Sequence, residues 1–316
     1  MHPKAREWVA THTWSSTDFP EAELYAAKSA LGLSVSVVIP ARDEAATIGG
    51  IVSQVRTALM GADPLVDELI VIDSDSDDDT GTRARLAGAR VHRSADVRPD
   101  LGSHRGKGEA IWKSLFVSNG DLLVFLDADV TTFTPKYVTG LLGPLLRDST
   151  VQLVKGFYDR DLADDDSVSL RQGGRVTELT ARPVLNMWWP ELAGIIQPLA
   201  GEWACRRTLI EAESIPVGYG VEIASLIDTY ARAGLDALAQ VDLGSRRHSH
   251  QDLIGLSSMA AEILATADRR RHPSAGVDAF EIVHFTRAEN GNDEQWESRP
   301  ITTVERPPAL RESAAC

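Results

Sequence analysis

Short apolar runs alternate with amphipathic stretches between residues 34 and 130. The runs SVSVVIP (34–40), DELIVID (67–73) and LLVFL (122–126) carry few polar side chains in their interiors, which is typical of strands buried on both faces. The stretch 41–61 between the first two runs has apolar residues at helical spacing. The resulting β-α-β-α-β-α-β order predicts a Rossmann-like α/β fold with a mostly parallel sheet flanked by helices.

The rest of the chain is less regular. Strands are predicted over 151–158 and 237–244, and helices over 21–32, 173–189, 220–234 and 252–271. Beyond residue 272 the composition turns polar and Pro-rich, which predicts a tail that is partly extended or mobile.

Polar clusters follow three of the predicted strands. They are Pro40–Glu44, Asp73–Asp75 and Asp127-Ala128-Asp129. Because ligands of parallel α/β sheets bind at the carboxyl ends of the strands, we expect these clusters to meet at one edge. Two carboxylates two residues apart repel each other, so the last cluster is a candidate site for Mg²⁺ or Mn²⁺. A helix N-cap or a solvated turn is the alternative interpretation.

Three basic segments offer candidate anion sites. SHRGKGEAIW (103–112) and QGGRVTEL (172–179) each place cations among glycines at a predicted helix start, where backbone amides can hold a phosphate. LGSRRHSHQ (243–251) adds arginines that could face a diphosphate and a histidine that could complete a metal site. Exposed basic turns remain the alternative for each. The acids of 77–79 precede a helix and are interpreted as capping residues.

Composition narrows the classes of function. The chain has a formal net charge of −14, which argues against general nucleic-acid binding. No apolar run approaches a membrane span and the first residues lack an apolar signal core, so we expect a cytoplasmic protein without a membrane partner. The sequence shows neither G-x-S-x-G nor a G-x-G-x-x-G after the first strand, which disfavours a serine hydrolase and a dinucleotide site.

The clusters together carry a family resemblance. VVIPARDEAATI, ELIVIDSDSDDDT, GKGEA and FLDADV, in this order, resemble GT-A glycosyltransferases of the family-2-like superfamily. RGKGEAIWKS, GGRVTELTARP, GYGVEIASLIDTY and AQVDLGSRRH resemble the glucosyl-3-phosphoglycerate synthase family, which shares these segments with mannosyl-3-phosphoglycerate synthases. The resemblance runs from about residue 13 to residue 270. It implies a GT-A fold and transfer of a hexose, glucose first, from a nucleotide diphosphate sugar to the 2-hydroxyl of 3-phosphoglycerate with retention.

The same resemblance divides the chain by function. It implies an N-terminal extension (1–33), a nucleotide-sugar-binding half (34–135), an acceptor-binding C-terminal half (136–272) and a C-terminal tail (273–316). The implied residues are Pro40, Ala41, Arg42, Glu44, Ser74, Lys107, Ala128, Tyr219 and Glu222 for the nucleotide sugar; Gly174, Arg175 and Thr177 for the acceptor; Asp129 and His248 for the metal; and Asp127, Glu222 and Arg246 for catalysis.

The implied ligands are a divalent cation, a donor and an acceptor. Mg²⁺ is the first expectation for the cation, with Mn²⁺ or Co²⁺ as alternatives, and the donor is UDP-glucose, GDP-glucose or GDP-mannose. A homodimer is also implied. Two positions depart from the family pattern, since Ala128 and Ala200 stand where the relatives more often carry serine. The second departure removes a hydroxyl near the sugar pocket and leaves the choice of donor open.

Other functions remain as alternatives. A mannosyl-3-phosphoglycerate synthase using GDP-mannose is the first, and a lipid phosphate acceptor would need an amphipathic segment that the sequence lacks. A nucleotidyltransferase would usually show a Gly-rich loop where Pro40–Glu44 stands. A non-catalytic binding module fits poorly with so many polar clusters at one edge. We find no side chain suited to be a covalent nucleophile and expect front-face attack assisted by the leaving diphosphate.

Overall fold

The computed structural model describes residues 1–161, 174–247, 253–274, 276–287 and 294–310. The helices of these residues are α1 Pro3–His12, α2 Glu21–Leu31, α3 Ile48–Leu59, α4 Thr80–Ala87, α5 Lys107–Ser114, α6 Lys136–Arg147, α7 Arg182–Trp188, α8 Arg207–Ile210, α9 Val221–Ala233 and α10 Leu253–Arg271. The strands are β1 Thr13–Ser15, β2 Val35–Ala41, β3 Glu68–Asp73, β4 Arg90–Arg93, β5 Leu122–Phe125, β6 Leu153–Asp161, β7 Trp203–Arg206, β8 Ile215–Pro216, β9 Leu238–Arg247, β10 Ala279–Arg287, β11 Glu294–Thr302 and β12 Glu305–Arg306.

Eight of these strands form one sheet in the order β1-β9-β6-β7-β5-β2-β3-β4. The pairs β5–β2, β2–β3 and β3–β4 are parallel, as are β1–β9 and β6–β9. Strand β7 runs antiparallel to both of its neighbours, β5 and β6. The prediction of a mostly parallel sheet in a GT-A fold is therefore confirmed.

Both faces of the sheet are covered, which explains why the strands lack polar alternation. Val37 and Ile39 pack into one core, with side chains from α3 and α6. Val38, between them, packs into a second core with side chains from α5 and α9. Consecutive side chains of a strand point to opposite faces, so every position of β2 meets apolar neighbours.

Two elements differ from the sequence-based expectation. Helix α3 begins only at Ile48, because residues 41–47 form a loop that is hydrogen-bonded to the turn after β3. The sequence GKGEAIWKSLFVSNG predicts a helix over 106–120, whereas helix α5 spans only Lys107–Ser114. The tail is predicted to be partly extended or mobile; among its described residues, β10 and β11 form a hairpin and β12 pairs with β8.

The eight-stranded sheet contains strands from three of the predicted functional segments, namely 1–33, 34–135 and 136–272. Strand β1 comes from the predicted extension 1–33 and pairs with β9, while β6, β7 and β9 come from 136–272. The functional division of the chain stays a prediction. Among the helices of the described residues, none has the length and apolar character that crossing a membrane requires.

Candidate active site

A cleft of about 1500 Å³ opens beside the carboxyl ends of β2, β3 and β5. Pockets for one small ligand usually measure about 300–1000 Å³, so this cleft has room for two. The structure brings together at its walls the following sequence-predicted residues: Pro40, Ala41, Arg42, Glu44, Ser74, Lys107, Asp127, Ala128, Asp129, Gly174, Arg175, Thr177, Tyr219, Glu222 and Arg246. The remaining predicted residue, His248, lies outside the described residues.

One wall is a pair of loops, residues 41–47 and 74–80, joined by hydrogen bonds. The amide of Glu44 donates to the Thr80 hydroxyl at 2.7 Å, and the amide of Asp77 donates to the Asp43 carboxylate at 2.8 Å. Asp43 has φ 56°, a backbone conformation that is uncommon for residues other than glycine. These bonds hold the loop after β2 in a fixed shape against the cleft.

Two acids of the second loop have structural uses. The Asp73 carboxylate accepts hydrogen bonds from both the amide and the hydroxyl of Ser76, at 3.0 and 2.7 Å. Asp78 accepts from the amide of Thr80, the first residue of α4, at 2.9 Å, whereas the N-cap residue Asp79 makes no side-chain capping hydrogen bond. Asp73 is buried and is not among the residues that line the cleft, so Ser74 is the ligand candidate of this pair.

The two acids after β5 meet two cations. Lys107 Nζ lies 2.5 Å from Asp127 Oδ1 and 2.7 Å from Glu222 Oε1. Arg246 lies 3.2 Å from Asp127 Oδ2 and 2.7 Å from Asp129 Oδ1. The two acids after the buried strand β5 are thus compensated by Lys107 from α5 and Arg246 from β9, which neutralise most of the carboxylate charge.

These ion pairs keep their members charged. Burial alone would raise the pKa of Asp127, but Lys107 and Arg246 hold it well below its usual range. Burial would likewise lower the pKa of Lys107, but Asp127 and Glu222 raise it well above its usual range. The cleft therefore presents a charged lysine and a charged arginine at neutral pH.

Beneath this layer lie charged residues that sequence reasoning did not select. Glu202 is fully buried and accepts a short hydrogen bond from Arg246, and burial raises its pKa to about 7. Lys155 is buried in β6 and donates to the Ala200 carbonyl at 2.5 Å, and burial lowers its pKa to about 8. The sequence itself indicates Lys155 as a buried polar group, because a lysine inside the apolar run VQLVKGFY needs a partner.

Asp129 is the residue best suited to hold a divalent cation. Its side chain is 44% exposed in the cleft, and burial together with the charge of Asp127 raises its pKa. Nearby, burial and the charge of Asp129 raise the pKa of Glu44 to about 6. Such crowding of carboxylates fits a cation. Within the described residues, no group of three or more His, Cys, Asp or Glu side chains that could hold a metal ion is found.

Two backbone amides in the first turn of α5 are already hydrogen-bonded within the protein. The amide of Gly108 donates to the Gly218 carbonyl at 3.3 Å, and the amide of Glu109 donates to the Val217 carbonyl at 2.9 Å. The interpretation of GKGE as a cradle of backbone amides is therefore wrong for these two groups. What α5 contributes to the cleft is the side chain of Lys107.

The acceptor candidates begin the segment that leads into α7. Gly174, Arg175 and Thr177 line the cleft, and Thr177 opens a π-helical turn over Thr177–Ala181. An ion pair of 2.7 Å between Glu178 and Arg182 stiffens this turn. π-Helical turns occur frequently at functional sites, because they re-aim side chains within a helix.

The far wall of the cleft is formed by Tyr219 and helix α10. The amide of Tyr219 donates to Glu262 Oε2 at 2.7 Å, and the Tyr219 side chain is 44% exposed. The neighbouring Gly220 lies so close to Thr266 that an added Cβ would collide with it. Glycine at this position lets the tyrosine turn lie directly on α10.

Comparison with known proteins places these residues in a family context. The family model described as glycosyl transferase family 2 matches residues 36–196. The glucosyl-3-phosphoglycerate synthase of Mycolicibacterium paratuberculosis is 43% identical, over 95% of this chain and 91% of that protein.

Two solved structures extend the likeness. One is that of glucosyl-3-phosphoglycerate synthase from Mycobacterium tuberculosis in complex with Mn²⁺, uridine-diphosphate-glucose and phosphoglyceric acid. It is 41% identical, with a TM-score of 0.79 over 92% of this chain and 94% of that one. The other is that of mannosyl-3-phosphoglycerate synthase from Rubrobacter xylanophilus. It is 36% identical, with a TM-score of 0.85 over 98% of each chain.

Proposed function

Because the chain belongs to glycosyl transferase family 2 and, within it, to the glucosyl-3-phosphoglycerate synthases, we propose that it transfers glucose to 3-phosphoglycerate. The donor is UDP-glucose and the acceptor atom is the 2-hydroxyl. The product is glucosyl-3-phosphoglycerate with the donor's anomeric configuration retained.

One observation carries this proposal: cations from separate elements line a single cleft in an acidic protein. Lys107 and Arg246 lie at the strand-end acids, and Arg175 lies on the wall formed by the turn before α7. A diphosphate and a phosphorylated acid are both strongly anionic, so a cleft that binds them together needs such convergent positive charge. The net charge of −14 is compatible with this because the cations are concentrated at the site.

The residues divide between donor and acceptor. Pro40 and Ala41, at the end of β2, hold the nucleotide together with Arg42 and Ser74 on the fixed loops after β2 and β3. Gly174, Arg175 and Thr177 hold the phosphate of the acceptor. Tyr219 and Glu222 border the sugar between them.

Departure of the leaving group is the electrostatic problem of the reaction. As the bond between sugar and phosphate breaks, negative charge grows on the diphosphate, and Lys107 and Arg246 stabilise it. Each must exchange part of its present contact with Asp127 or Asp129 for the phosphate oxygens. A bound divalent cation, held by Asp129 and His248, would supply further positive charge at the diphosphate.

The carboxylates of the cleft are poorly placed for covalent catalysis. Asp127 is engaged by Lys107 and Arg246, and Glu222 lies 2.7 Å from Lys107. An ion-paired carboxylate is a weaker nucleophile than a free one. Attack by the acceptor hydroxyl on the face that the diphosphate leaves fits this arrangement, with a diphosphate oxygen taking the proton. No glycosyl-enzyme adduct should then be trapped with a slow donor.

Glucose is preferred over mannose because relatives that are 40–43% identical over most of this chain are named glucosyl-3-phosphoglycerate synthases. The mannosyl-3-phosphoglycerate synthase of Rubrobacter xylanophilus keeps GDP-mannose as the second candidate, since its structure covers 98% of this chain. A homodimer is supported by exposed apolar side chains on the β10–β11 hairpin, where Phe285 is 80% and Trp296 is 71% exposed. Action in the cytoplasm stays a prediction.

A panel of nucleotide sugars with 3-phosphoglycerate and Mn²⁺ or Mg²⁺ tests the proposal. We expect nucleotide release from UDP-glucose that depends on both the acceptor and the metal. Faster release from GDP-mannose would replace glucose by mannose in the assignment. Failure of every hexose donor would refute the proposed function.

A further inference from the structure

The C-terminal part of the described chain packs against the helix that carries Lys107. We call residues 303–309 the C-terminal strap. The indole nitrogen of Trp112, on α5, donates to the Pro307 carbonyl at 2.8 Å. Ala309 is buried in the same core as the apolar side chains of α5. The strap is thus part of the support of α5, although its sequence position lies far from the strand-end motifs.

The centre of the strap is a buried ion pair between Arg306 and Glu109. Two guanidinium nitrogens donate to the two carboxylate oxygens, each at 2.7 Å, and the side chains are 9% and 1% exposed. Arg306 also donates to the carbonyls of Leu101 and Gly102 at 2.8 and 3.1 Å. Its guanidinium lies over the Trp112 ring, 4.7 Å from the centroid. Arg306 therefore joins the loop before α5 to the first turn of α5, beside the bond from the His104 amide to Glu109 at 3.2 Å and the bond from Lys113 to the Gly102 carbonyl at 2.7 Å.

The strap also holds the segment that leads to Glu222, the carboxylate that pairs with Lys107. Strand β12 pairs with β8, and the amide of Val217 donates to the Val304 carbonyl at 3.0 Å. Val217 is followed by Gly218, and both accept hydrogen bonds from the first amides of α5. The same segment continues into Glu222, whose carboxylate lies 2.7 Å from Lys107. Both members of the Lys107–Glu222 pair are therefore attached to the strap.

We propose that Arg306 is a positioning residue for glycosyl transfer, which fixes Lys107 through its bidentate ion pair with Glu109. Glu109 stands two residues after Lys107 in the first turn of α5. Loss of Arg306 removes the bidentate ion pair and leaves Glu109 with the His104 amide at 3.2 Å and Lys113 at 3.9 Å, so the Lys107 ammonium group is held less firmly where the leaving diphosphate needs it. Displacements of about 1 Å can cost a factor on the order of 100 in rate. The inference rests on the proposed function.

The test compares Arg306→Gln with Arg270→Gln as a matched control. Arg270 is 8% exposed, pairs with Asp228 at 2.8 Å, and binds the same strap through Glu305 at 2.7 Å. Its other hydrogen bonds go to the carbonyls of Thr266 and Ser214, which lie outside α5. Steady-state UDP release gives kcat and both KM values, and thermal unfolding gives Tm. We expect similar losses of Tm in the two variants. We expect kcat to fall about tenfold to a hundredfold only in Arg306→Gln, with an unchanged KM for 3-phosphoglycerate.

The conservative variant Arg306→Lys keeps a charge beside Glu109 and should recover part of the lost kcat. If Arg306→Gln does not fold, Arg306→Lys and Arg270→Lys are compared, with kcat expected to fall about threefold or more only in the first. Equal kcat values for the paired Arg306 and Arg270 variants overturn the role of Arg306 while the activity stands. A wild-type enzyme without UDP release overturns the proposed function, and this inference with it.

Discussion

Replacing Arg246 by methionine tests the electrostatic organisation of the cleft. The guanidinium is 4% exposed and is the shared partner of Asp127, Asp129 and Glu202. Methionine has a similar length without the charge, so the variant removes the cation and leaves the carboxylates in place. Lys107 still partners Asp127 at 2.5 Å, whereas the fully buried Glu202 loses the partner of its hydrogen-bonded oxygen.

The expected loss follows from this burial. Removing one member of a buried ion pair costs about 3–5 kcal/mol, because the remaining charge is left without compensation. With an unfolding entropy of about 2.1 cal/mol/K per residue, the 316-residue chain should lose about 5–8 °C in Tm. Removing Glu202 as well should restore at least about 1 kcal/mol, since the buried carboxyl that lost its hydrogen-bond donor is then gone.

Urea unfolding in the presence of a chelator measures these differences. Arg206→Met is the control, because Arg206 donates to the carbonyls of Leu145 and Val151 rather than to a carboxylate. Its loss should be smaller, about 1–2 kcal/mol. The account of the cleft is refuted if Arg246→Met is as stable as wild type. It is also refuted if Arg246→Met with Glu202→Leu is no more stable than Arg246→Met alone.

Three further predictions concern metal, acceptor and pH. Asp129→Ala should abolish metal-dependent UDP release. Its Tm without metal should change by less than about 2 °C, because the side chain is 44% exposed. Chelation should abolish the activity of the wild type, and retained turnover in the variant would contradict the metal assignment. Arg175→Ala should raise the KM for 3-phosphoglycerate about tenfold or more with little change in the KM for UDP-glucose, and an equal rise in both would argue against its acceptor role. Burial and the charge of Asp228 raise the pKa of Glu213 to about 8. Between about pH 4.5 and pH 8 the folded protein therefore keeps a proton on Glu213 that the unfolded chain releases. This carboxyl lowers the stability of the fold as the pH rises through that range. Glu213→Gln should therefore be more stable than wild type by about 1–3 kcal/mol at pH 7 and equally stable near pH 4 in urea unfolding, and identical pH profiles would refute this reasoning.

The sequence predicted the strands between residues 34 and 130 and the position of their polar clusters well. Apolar runs without alternation identified β2, β3 and β5, and their carboxyl ends do meet at one cleft. The acids after β5 stood out because a buried strand ending in Asp127 and Asp129 needs compensation. The sequence also indicated Lys107 as a candidate cation, since it stands between glycines at a predicted helix start.

What the sequence did not reveal depends on contacts between distant segments. Glu202 belongs to the site only because β7 inserts antiparallel between β5 and β6. Arg306 is separated from Glu109 by almost two thirds of the chain, and no local period marks the two as partners. The polar, Pro-rich composition of the tail indicated an extended chain but not that its last strand would pair with β8.

Product identification tests the central claim most directly. The enzyme is incubated with ¹³C-labelled UDP-glucose, 3-phosphoglycerate and Mn²⁺, and the product is analysed by NMR and mass spectrometry. The account predicts one new α-linked glucose whose anomeric carbon is bonded through oxygen to C2 of 3-phosphoglycerate. Free glucose alone, a β-linked product or attachment at another atom would contradict it.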